Sequence, residues 1–399
     1  MAKILRRSFH NISRRDIDED ALKVLYRLNR NGFKAYLVGG AVRDILLGKK
    51  PNDYDIATDA RPGQIKKLFS NSFLIGRRFK LAHIRFKGNK VIEVATFRRE
   101  PEEGSNEDIH NTFGTPEEDA HRRDITINAL FYDIADFSVI DYVGGLNDIN
   151  KGIIRIIGDP DKRFKEDPVR ILRVLRHSSR QNFRIHHETA SKVFQHRDLL
   201  QNCSGARMYE EICKDIKSGF LMPVFFQLDL FGILPCLLGD IGRFYSDNQF
   251  ETSELFNYLK TIDILNISGE DIPIQDIFTI IFWPWARHVV GKNSESQDKS
   301  KMLHDEMIKA GIQIQIPKVV MAHISQVLTI LCNMNKAVET GRFKYSERKK
   351  ANYLNASKVF GIIIGDKSNH NDPFGEFFRR KVQRTRKWRN SKQLIQHMG

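Results

Sequence analysis

The stretch GGAVRDILLGKKPNDYD, residues 39–55, ends in two aspartates that lie one residue apart, Asp53 and Asp55. In an extended segment, alternate residues point to the same side, so both carboxylates could hold divalent cations against a triphosphate. Gly39 and Gly40 follow the apolar residues AYLV, and Arg43 follows in a segment that reads as a helix start. Glycines leave backbone N–H groups open to a phosphate, and a helix N-terminus adds a favourable dipole. The order strand, Gly-Gly turn, helix, strand with Asp-x-Asp therefore predicts a nucleotide site.

A third carboxylate would complete this metal cradle. Glu93, within KVIEVATFR at residues 90–98, is the best candidate, because a charge in the middle of an apolar strand is costly unless it faces a metal or a partner. The alternative is an ion pair between Glu93 and a neighbouring arginine such as Arg85. For Asp53 and Asp55 the alternative is a solvated turn, since proline, asparagine and aspartate favour turns.

The segment RRDITINAL, residues 122–130, offers further polar groups for a nucleotide. Arg122 and Arg123 carry fork-shaped donors suited to phosphate oxygens. Asp124 could accept a hydrogen bond from a ribose hydroxyl, and Asn128 could orient it. The competing interpretation is that Asp124 caps a helix.

The segment RFKEDPVRILRVLR, residues 163–176, combines a carboxylate with two arginines at helical spacing. Asp167 before a proline predicts an N-cap, and Arg170 and Arg173 then share its helical face. A carboxylate can accept from an exocyclic amino group of a base, while a guanidinium beside it donates to the adjacent ring nitrogen. Adenine and cytosine present this donor-acceptor pair. Such a pair would select ATP or CTP without a template. The alternative is a cap plus a surface salt bridge between Glu166 and Arg170.

The charge of the chain points to a polyanionic partner. Lys and Arg number 64 against 49 Asp and Glu, which gives a net charge of +15 and a pI near 9.6. Nucleic acid is the first candidate partner, and an anionic membrane surface is the second. A charge run is often only a solvated face, but the clusters here favour RNA-backbone binding with base stacking on Trp388. The predicted RNA-binding residues are Arg77, Arg78, Arg379, Arg380, Lys381, Arg384, Arg386, Lys387 and Trp388, with Lys80 beside the first two.

Cysteine usage and hydropathy indicate the compartment. The four cysteines show no C-x-x-C spacing, which argues against a zinc site and for a reducing environment. The N-terminal residues lack the apolar run of a signal peptide, and no stretch approaches the roughly 20 apolar residues that cross a bilayer. We therefore expect no membrane span and a cytoplasmic location.

The pattern of the chain changes near residue 155. Before it, helices predicted at 18–31, 42–48 and 62–69 alternate with strands at 35–40, 53–58, 79–88 and 90–98, which indicates a mixed α+β head. The polar segment 99–122 is predicted to be a mobile loop. Beyond residue 168 nearly every segment has helical period, with a loop at 291–300. The predicted domains are a head (1–155), a helical neck (156–235), a helical body (236–375) and a basic tail (376–399).

Five segments together resemble the class II nucleotidyltransferases, the family of bacterial poly(A) polymerases and CCA-adding tRNA nucleotidyltransferases. They are GGAVRDILLGKKPNDYDIAT (39–58), EVATFR (93–98), EEDAHRRDITINALFYD (117–133), DYVGGLNDINKGIIRIIG (141–158) and RFKEDPVRILRVLR (163–176). The resemblance covers residues 10 to about 235. HNISRRDIDEDALKVLYRL (10–28), LIGRRFKLAHIRF (74–86) and NTFGTPEEDAHRRD (111–124) resemble the poly(A) polymerase branch.

The resemblance implies a polymerase-beta-like palm in the head and assigns roles to the motif residues. Asp53 and Asp55 would bind two Mg²⁺ ions, with Glu93 as the expected third carboxylate. It implies Gly39, Gly40 and Arg43 at the triphosphate, Asp124 and the neighbouring Arg123 at the ribose, and Asp167 with Arg170 at the adenine. From the residues alone, Asn128 and Arg173 are further expected nucleotide-binding residues. Isoleucine at position 125, where phenylalanine is common in the family, is a conservative change.

The expected activity is template-independent addition of AMP from ATP to an RNA 3′ end, in mRNA or tRNA. One metal ion would lower the pKa of the attacking 3′-hydroxyl, and the other would stabilise the leaving pyrophosphate. The first alternative is CCA addition to tRNA from CTP and ATP. A catalytically inactive RNA-binding protein is the second. The oligomeric state is left open.

Overall fold

The structure is a computed structural model and describes residues 2–76, 81–100, 112–292, 298–365 and 372–381. Within it the chain forms two compact units, residues 1–193 and 194–399.

The first unit is built on an eight-stranded mixed sheet. Its strands are β1 (Lys3–Leu5), β2 (Ala35–Val38), β3 (Asp55–Thr58), β4 (Ser72–Ile75), β5 (Leu81–Arg85), β6 (Val91–Thr96), β7 (Leu130–Asp133) and β8 (Val139–Asp141). They lie in the order β1-β8-β7-β2-β3-β6-β5-β4. Only the central pair β3 and β6 runs parallel, and every other neighbouring pair in this sheet is antiparallel.

Hydrophobic side chains cover the two faces of this sheet unequally. One face packs Leu37, Ile56 and Val94 into the main core together with the apolar residues of the first helices. The other face carries a smaller cluster that includes Tyr36 and Phe131. β6 confirms the strand predicted at 90–98, and most of its residues alternate between exposed and buried. Because the cluster on the second face is small, part of that face is not covered by hydrophobic side chains and can carry polar groups.

Short helices connect the strands of the first unit. They are α1 (Glu19–Arg30), α2 (Gly40–Leu46), α3 (Pro62–Leu68), α4 (Pro116–His121), α5 (Gly145–Lys151), α6 (Pro160–Glu166) and α7 (Arg170–Gln181). α1 confirms the helix predicted at 18–31, because the Asp18 carboxylate accepts from the backbone N–H groups of Asp20 and Ala21 at its start. Two short strands, β9 (Ile153–Ile154) and β10 (Arg184–Ile185), pair in parallel.

The loop predicted over residues 99–122 is partly helical, so that prediction is wrong for α4. Thr115 forms a capping box with Glu118, in which each side chain bonds the other residue's backbone N–H. Pro116 occupies the first helical turn, where its missing N–H costs nothing. Residues 101–111 of the segment lie outside the described residues.

The second unit is helical, as predicted. α8 (His187–His196) spans the boundary between the units, and the remaining helices are α9 (Gly205–Ile216), α10 (Leu221–Leu230), α11 (Leu234–Leu238), α12 (Asp240–Asp247), α13 (Gln249–Ile267), α14 (Ile274–Lys292), α15 (Lys299–Lys309), α16 (Lys318–Thr340) and α17 (Tyr353–Ile363). Residues 373–381 are also helical. A buried carboxylate, Asp263, caps α10 by accepting from the N–H groups of Leu221 and Met222 at 2.7 and 2.8 Å. Across the described ranges, no helix combines the length and apolar character needed to cross a membrane.

Candidate active site

Two carboxylates lie side by side where β3 and β6 run parallel. Asp55 is the first residue of β3, and it pairs in register with Glu93 on β6. The strand predicted at 53–58 thus begins at Asp55, two residues later than predicted, and Asp53 lies in the connection that precedes it. Both strand residues face the second, less covered side of the sheet, because their neighbours Ile56 and Val94 are buried in the main core.

The electrostatics of Asp55 are those of a site with excess negative charge. Burial, and after it the nearby charges of Asp53 and Glu93, together raise the pKa of Asp55 to about 6, while the charge of Arg123 opposes them. Carboxylate oxygens are the ligands that Mg²⁺ prefers. These carboxylates therefore fit a divalent cation in charge and in ligand type. Over the described ranges, no three or more His, Cys, Asp and Glu side chains form a group that could hold a metal ion.

Glu93 does not pair with Arg85, the arginine considered from the sequence. Instead its Oε1 lies 3.3 Å from Nε2 of His83 on β5. The guanidinium of Arg85 lies over the ring of Phe73, 4.5 Å from the centroid. Glu93 keeps about half of its side chain exposed and thus remains accessible to a ligand.

The Gly-Gly turn brings the backbone close to this carboxylate pair. Gly39 has φ 74° and ψ −135°, a conformation that disfavours any residue with a Cβ. A Cβ at Gly39 would lie 3.3 Å from Nη1 of Arg123 and 4.0 Å from Oδ2 of Asp55. Gly40 then begins α2, and a Cβ at this position would lie 3.5 Å from Nη2 of Arg43. The turn therefore leaves space beside Asp55 that only glycine preserves.

Arg43 is buried and held by neighbouring polar groups. Its Nε donates to the Asp44 carboxylate at 2.8 Å, and its Nη1 donates to Oδ1 of Asn128. The Asn128 amide in turn lies 3.2 Å from Nε2 of His177 on α7. Burial, with the charge of Arg43 next, lowers the pKa of His177 well below its usual value. His177 is therefore a neutral member of this network, and its Nδ1 has no hydrogen-bond partner among the described residues.

Arg123 is fixed in a similar way by α4. Its Nη2 and Nε donate to Oδ2 of the buried Asp119 at 3.0 and 3.2 Å, and its Nη1 donates to the Asn128 carbonyl at 3.3 Å. Neither Asp119 nor His177 was anticipated as part of the site. Asp119 could have been found from the sequence, because it lies four residues before Arg123, the spacing at which side chains meet on a helix.

Asp124 connects the head to α7. Its carboxylate accepts from Nε of Arg170 at 3.0 Å and from Nη1 of Arg173 at 2.7 Å. Burial would raise the pKa of Asp124, but the two arginines outweigh that effect and lower it. The capping alternative is wrong, since the short helix Thr126–Asn128 has Ile125 as its N-cap, without a side-chain cap.

Asp167 is not the N-cap of α7, so that prediction is wrong. It follows α6 as its C-cap, and its Oδ1 accepts from the N–H of Val169, which precedes the first residue of α7. The following Pro168 disfavours helical geometry at Asp167, which explains the break between the two helices. The Glu166–Arg170 salt bridge is present at 3.2 Å, and Arg170 also donates to the Arg163 carbonyl.

The predicted RNA-binding residues fall mostly outside the described residues. Those not described are Arg77, Arg78, Arg384, Arg386, Lys387 and Trp388. The described ones make local contacts: Arg379 donates to the Gly375 carbonyl, Arg380 pairs with Glu376, and Lys381 donates to the Val338 carbonyl.

Comparison with known proteins places this geometry in a family. Residues 35–155 match the family described as "Poly A polymerase head domain", and residues 182–241 match the family described as "Probable RNA and SrmB- binding site of polymerase A". The chain is 45% identical over 295 residues to poly(A) polymerase I of Salmonella typhi, across 70% of this chain and 63% of that protein. It is 36% identical over 248 residues to the CCA-adding enzyme of Bacillus licheniformis, across 60% of this chain and 61% of that enzyme.

A solved structure shares the fold over most of the chain. The CCA-adding enzyme of Bacillus stearothermophilus in complex with CTP superposes with a TM-score of 0.64 at 25% identity, over 92% of this chain and 82% of that one. The chain spans a little under two thirds of the length of the poly(A) polymerases that it matches. The chain thus carries a poly(A) polymerase head domain followed by the RNA-binding domain of polymerase A, and it is similar to the bacterial poly(A) polymerases I, with the CCA-adding enzymes as a sister group.

Proposed function

We propose that this chain adds AMP from ATP to RNA 3′ ends without a template. The observation that carries the proposal is the pairing of Asp55 with Glu93 beside the Gly39 turn, in a head that is closely similar to that of poly(A) polymerase I. Burial, and after it the negative charges of Asp53 and Glu93, raise the pKa of Asp55, and this excess of negative charge suits a site for cations and a triphosphate.

Asp53, Asp55 and Glu93 would hold Mg²⁺ together with phosphate oxygens of ATP. Divalent cations, when bound there, neutralise charge at the α-phosphate and favour ionisation of an attacking 3′-hydroxyl; we propose two of them. The open backbone at Gly39 and Gly40 would receive the triphosphate, with Arg43 and Arg123 beside it. Because both guanidiniums are already held by protein groups, they would bind phosphate with little reorganisation.

The adenine would be selected beside α7. We propose that Asp167 and Arg170 face the base edge, and that Asp124 holds Arg170 and Arg173 in place for that purpose. In this proposal Asp124 has two roles. It holds the two arginines beside the base, and it accepts a hydrogen bond from a ribose hydroxyl. The helices after residue 236 and the basic tail would hold the RNA.

CCA addition to tRNA is the second candidate, and the similarity to CCA-adding enzymes favours it. A tRNA that lacks its CCA end, incubated with Mg²⁺ and either CTP alone or ATP alone, separates the two activities. We expect repeated AMP addition from ATP and no CMP addition; incorporation of CMP would overturn the polyadenylation proposal.

An inactive RNA-binding protein is the remaining alternative, and the same assay addresses it. RNA binding by the wild-type chain without any nucleotide incorporation would support that alternative. Asp53→Ala should abolish incorporation, whereas Asp59→Ala, at an exposed carboxylate just beyond β3, should leave it unchanged. Equal activity of wild type and Asp53→Ala would contradict the metal assignment.

A further inference from the structure

A single row of side chains crosses the sheet from the carboxylate pair to its edge. Asp55 pairs in register with Glu93, Glu93 with His83, and His83 with Phe73 on the edge strand β4. Residues that pair in register point to the same face of a sheet. The intervening positions of β3, β6 and β5 are buried in the main core on the opposite face. Phe73 therefore faces the same side as the proposed catalytic carboxylates.

Phe73 forms an exposed aromatic group between two cations at this edge. Its side chain is 47% exposed. The Arg85 guanidinium lies 4.5 Å and the Lys66 ammonium 5.4 Å from the ring centroid. Neither cation forms an ion pair with a carboxylate in the part of the chain that the structure describes, and the Lys66 ammonium otherwise donates to the Ser72 carbonyl. We call Phe73, Lys66 and Arg85 the edge platform.

The position of the edge platform suits a strand that leaves the catalytic carboxylates. Three strand-to-strand steps of about 4.8 Å separate Asp55 from Phe73, a distance of about 14 Å. That distance corresponds to about four nucleotides of a stacked single strand, at roughly 3.4 Å each, and to fewer of an extended one. An aromatic ring flanked by cations is the chemistry that binds single-stranded nucleic acid, because the ring stacks on a base and the cations neutralise phosphates.

We propose that the edge platform binds a base of the RNA substrate a few nucleotides upstream of its 3′ end. The inference rests on the proposed function, because the row is a path for RNA only if the 3′ end lies at Asp55. Phe73 and Arg85 supply the stacking surface, and Lys66 supplies charge for the adjacent phosphate. The edge platform positions the substrate and takes no part in the chemical step.

Primer length provides the test, since only a primer long enough to reach the edge platform can use it. Oligoadenylates of one to eight nucleotides are extended with saturating ATP by wild type, Phe73→Ala and Phe73→Tyr. We expect Phe73→Ala to match wild type on the shortest primers and to raise the KM for longer primers roughly 5- to 150-fold, the range for loss of one stacked base. The kcat and the KM for ATP should not change, and Phe73→Tyr should restore the wild-type KM.

Leu74→Ala is the matched control. Leu74 is the next residue of β4, is 44% exposed, and points to the opposite face. If Phe73 only stabilised the edge of the sheet, both alanine variants would change the KM for primers equally and at all primer lengths. That result would overturn the proposal. So would a change in oligomeric state of Phe73→Ala on sedimentation, because it would mark the edge as a contact between two copies of the chain.

Binding measurements separate failure of this inference from failure of the proposed function. If wild type extends primers and Phe73→Ala extends every length equally well, only the edge platform is refuted. If wild type incorporates no nucleotide, the proposed function fails, and anisotropy with a labelled octanucleotide still tests the edge platform. In that measurement Phe73→Ala should weaken binding, and Lys66→Ala should reduce the slope of log Kd against log salt by about one; unchanged binding by both variants would refute it.

Discussion

Asp55 and Glu93 occupy paired positions on the only two parallel neighbours of the eight-stranded sheet. The next strand on each side is antiparallel to its neighbour: β2 pairs with β3, and β5 pairs with β6. The register brings together two carboxylates that are 38 positions apart in the chain, and the adjacent Asp53 adds a third charge. Their mutual repulsion is the physical reason that this end of the sheet suits cations.

Removing the Asp55 charge should stabilise the protein when no metal is bound. Because its pKa is raised from 3.8 to about 6, the folded state binds more protons than the unfolded state between these values, and stability falls as pH rises through them. The free-energy cost at pH 8 is about 3 kcal/mol at most. With EDTA, Asp55→Asn should therefore be more stable than wild type to urea at pH 8, and the difference should vanish near pH 4.

Mg²⁺ should reverse that order, since in the proposed site it would bind the ionised carboxylate. Titration with Mg²⁺ at pH 8 should raise the unfolding midpoint of wild type and leave that of Asp55→Asn nearly unchanged. Asp59→Asn serves as the control and should behave as wild type does. Equal stabilisation of wild type and Asp55→Asn by Mg²⁺ would contradict the assignment of Asp55 as a ligand.

Asp124→Asn should destabilise the first unit. The substitution removes the shared partner of Arg170 and Arg173, so two largely buried guanidiniums lose a charged acceptor. Loss of hydrogen bonds between charged groups costs about 1.5–3 kcal/mol. Because the pKa of Asp124 is lowered, its contribution is present above its unfolded pKa and is lost as pH falls through the folded value.

Urea unfolding at pH 7 measures this loss, and Asp161→Asn is the comparison. Asp161 pairs with Lys165 and Lys192 at the surface, where an ion pair contributes about 0–1 kcal/mol. A loss for Asp124→Asn no larger than that for Asp161→Asn would argue against Asp124 as the connection between the head and α7.

Local sequence signals predicted much of the fold and of the site. Strand alternation identified β6, and the Asp18 cap identified the start of α1, because both depend on neighbouring residues. The Asp-x-Asp pair and the Gly-Gly turn predicted one shared site, and in the structure the Asp55 carboxylate lies beside Gly39. Such features are encoded within a few residues and need no knowledge of the tertiary structure.

Contacts between distant segments could not be predicted in the same way. His83 became the partner of Glu93 because β5 pairs with β6 in one register, and nothing in the sequence fixes that register locally. His177 reaches Asn128 only because α7 packs against the head, 49 positions later in the chain. The error at Asp167 has another origin. Proline is common both just after the end of a helix and in the first turn of a helix, and here Pro168 follows the end of α6.

His177→Ala should impair ATP binding through Arg43. The substitution removes the partner of the Asn128 amide, which in turn orients the Arg43 guanidinium. Misplacement of a phosphate-binding group can reduce the rate by up to about 100-fold. We expect a higher KM for ATP with an unchanged KM for RNA, and partial recovery in His177→Gln, whose amide can still bond to Asn128.

The pH dependence of stability gives an independent measurement of His177. Its pKa is lowered in the folded state, so the unfolded state takes up the proton first and stability falls as pH drops below about 6.5. His177→Gln should lose this part of the acid sensitivity. An identical decrease in wild type and His177→Gln would show that the histidine is not held neutral.

Gly39→Ala should abolish activity, whereas Gly48→Ala should only reduce stability. Both glycines have positive φ, 74° and 69°, so alanine at either position is strained by about 1–3 kcal/mol. They differ in their surroundings: a Cβ at Gly48 meets nothing within 4 Å, whereas one at Gly39 lies 3.3 Å from Nη1 of Arg123 and 4.0 Å from Oδ2 of Asp55. Incorporation of AMP, compared at equal folded fraction set by urea unfolding, should therefore be lost in Gly39→Ala alone. Equal specific activity of the two variants would mean that the turn acts only through backbone strain, and that the space beside Asp55 is not where the triphosphate binds.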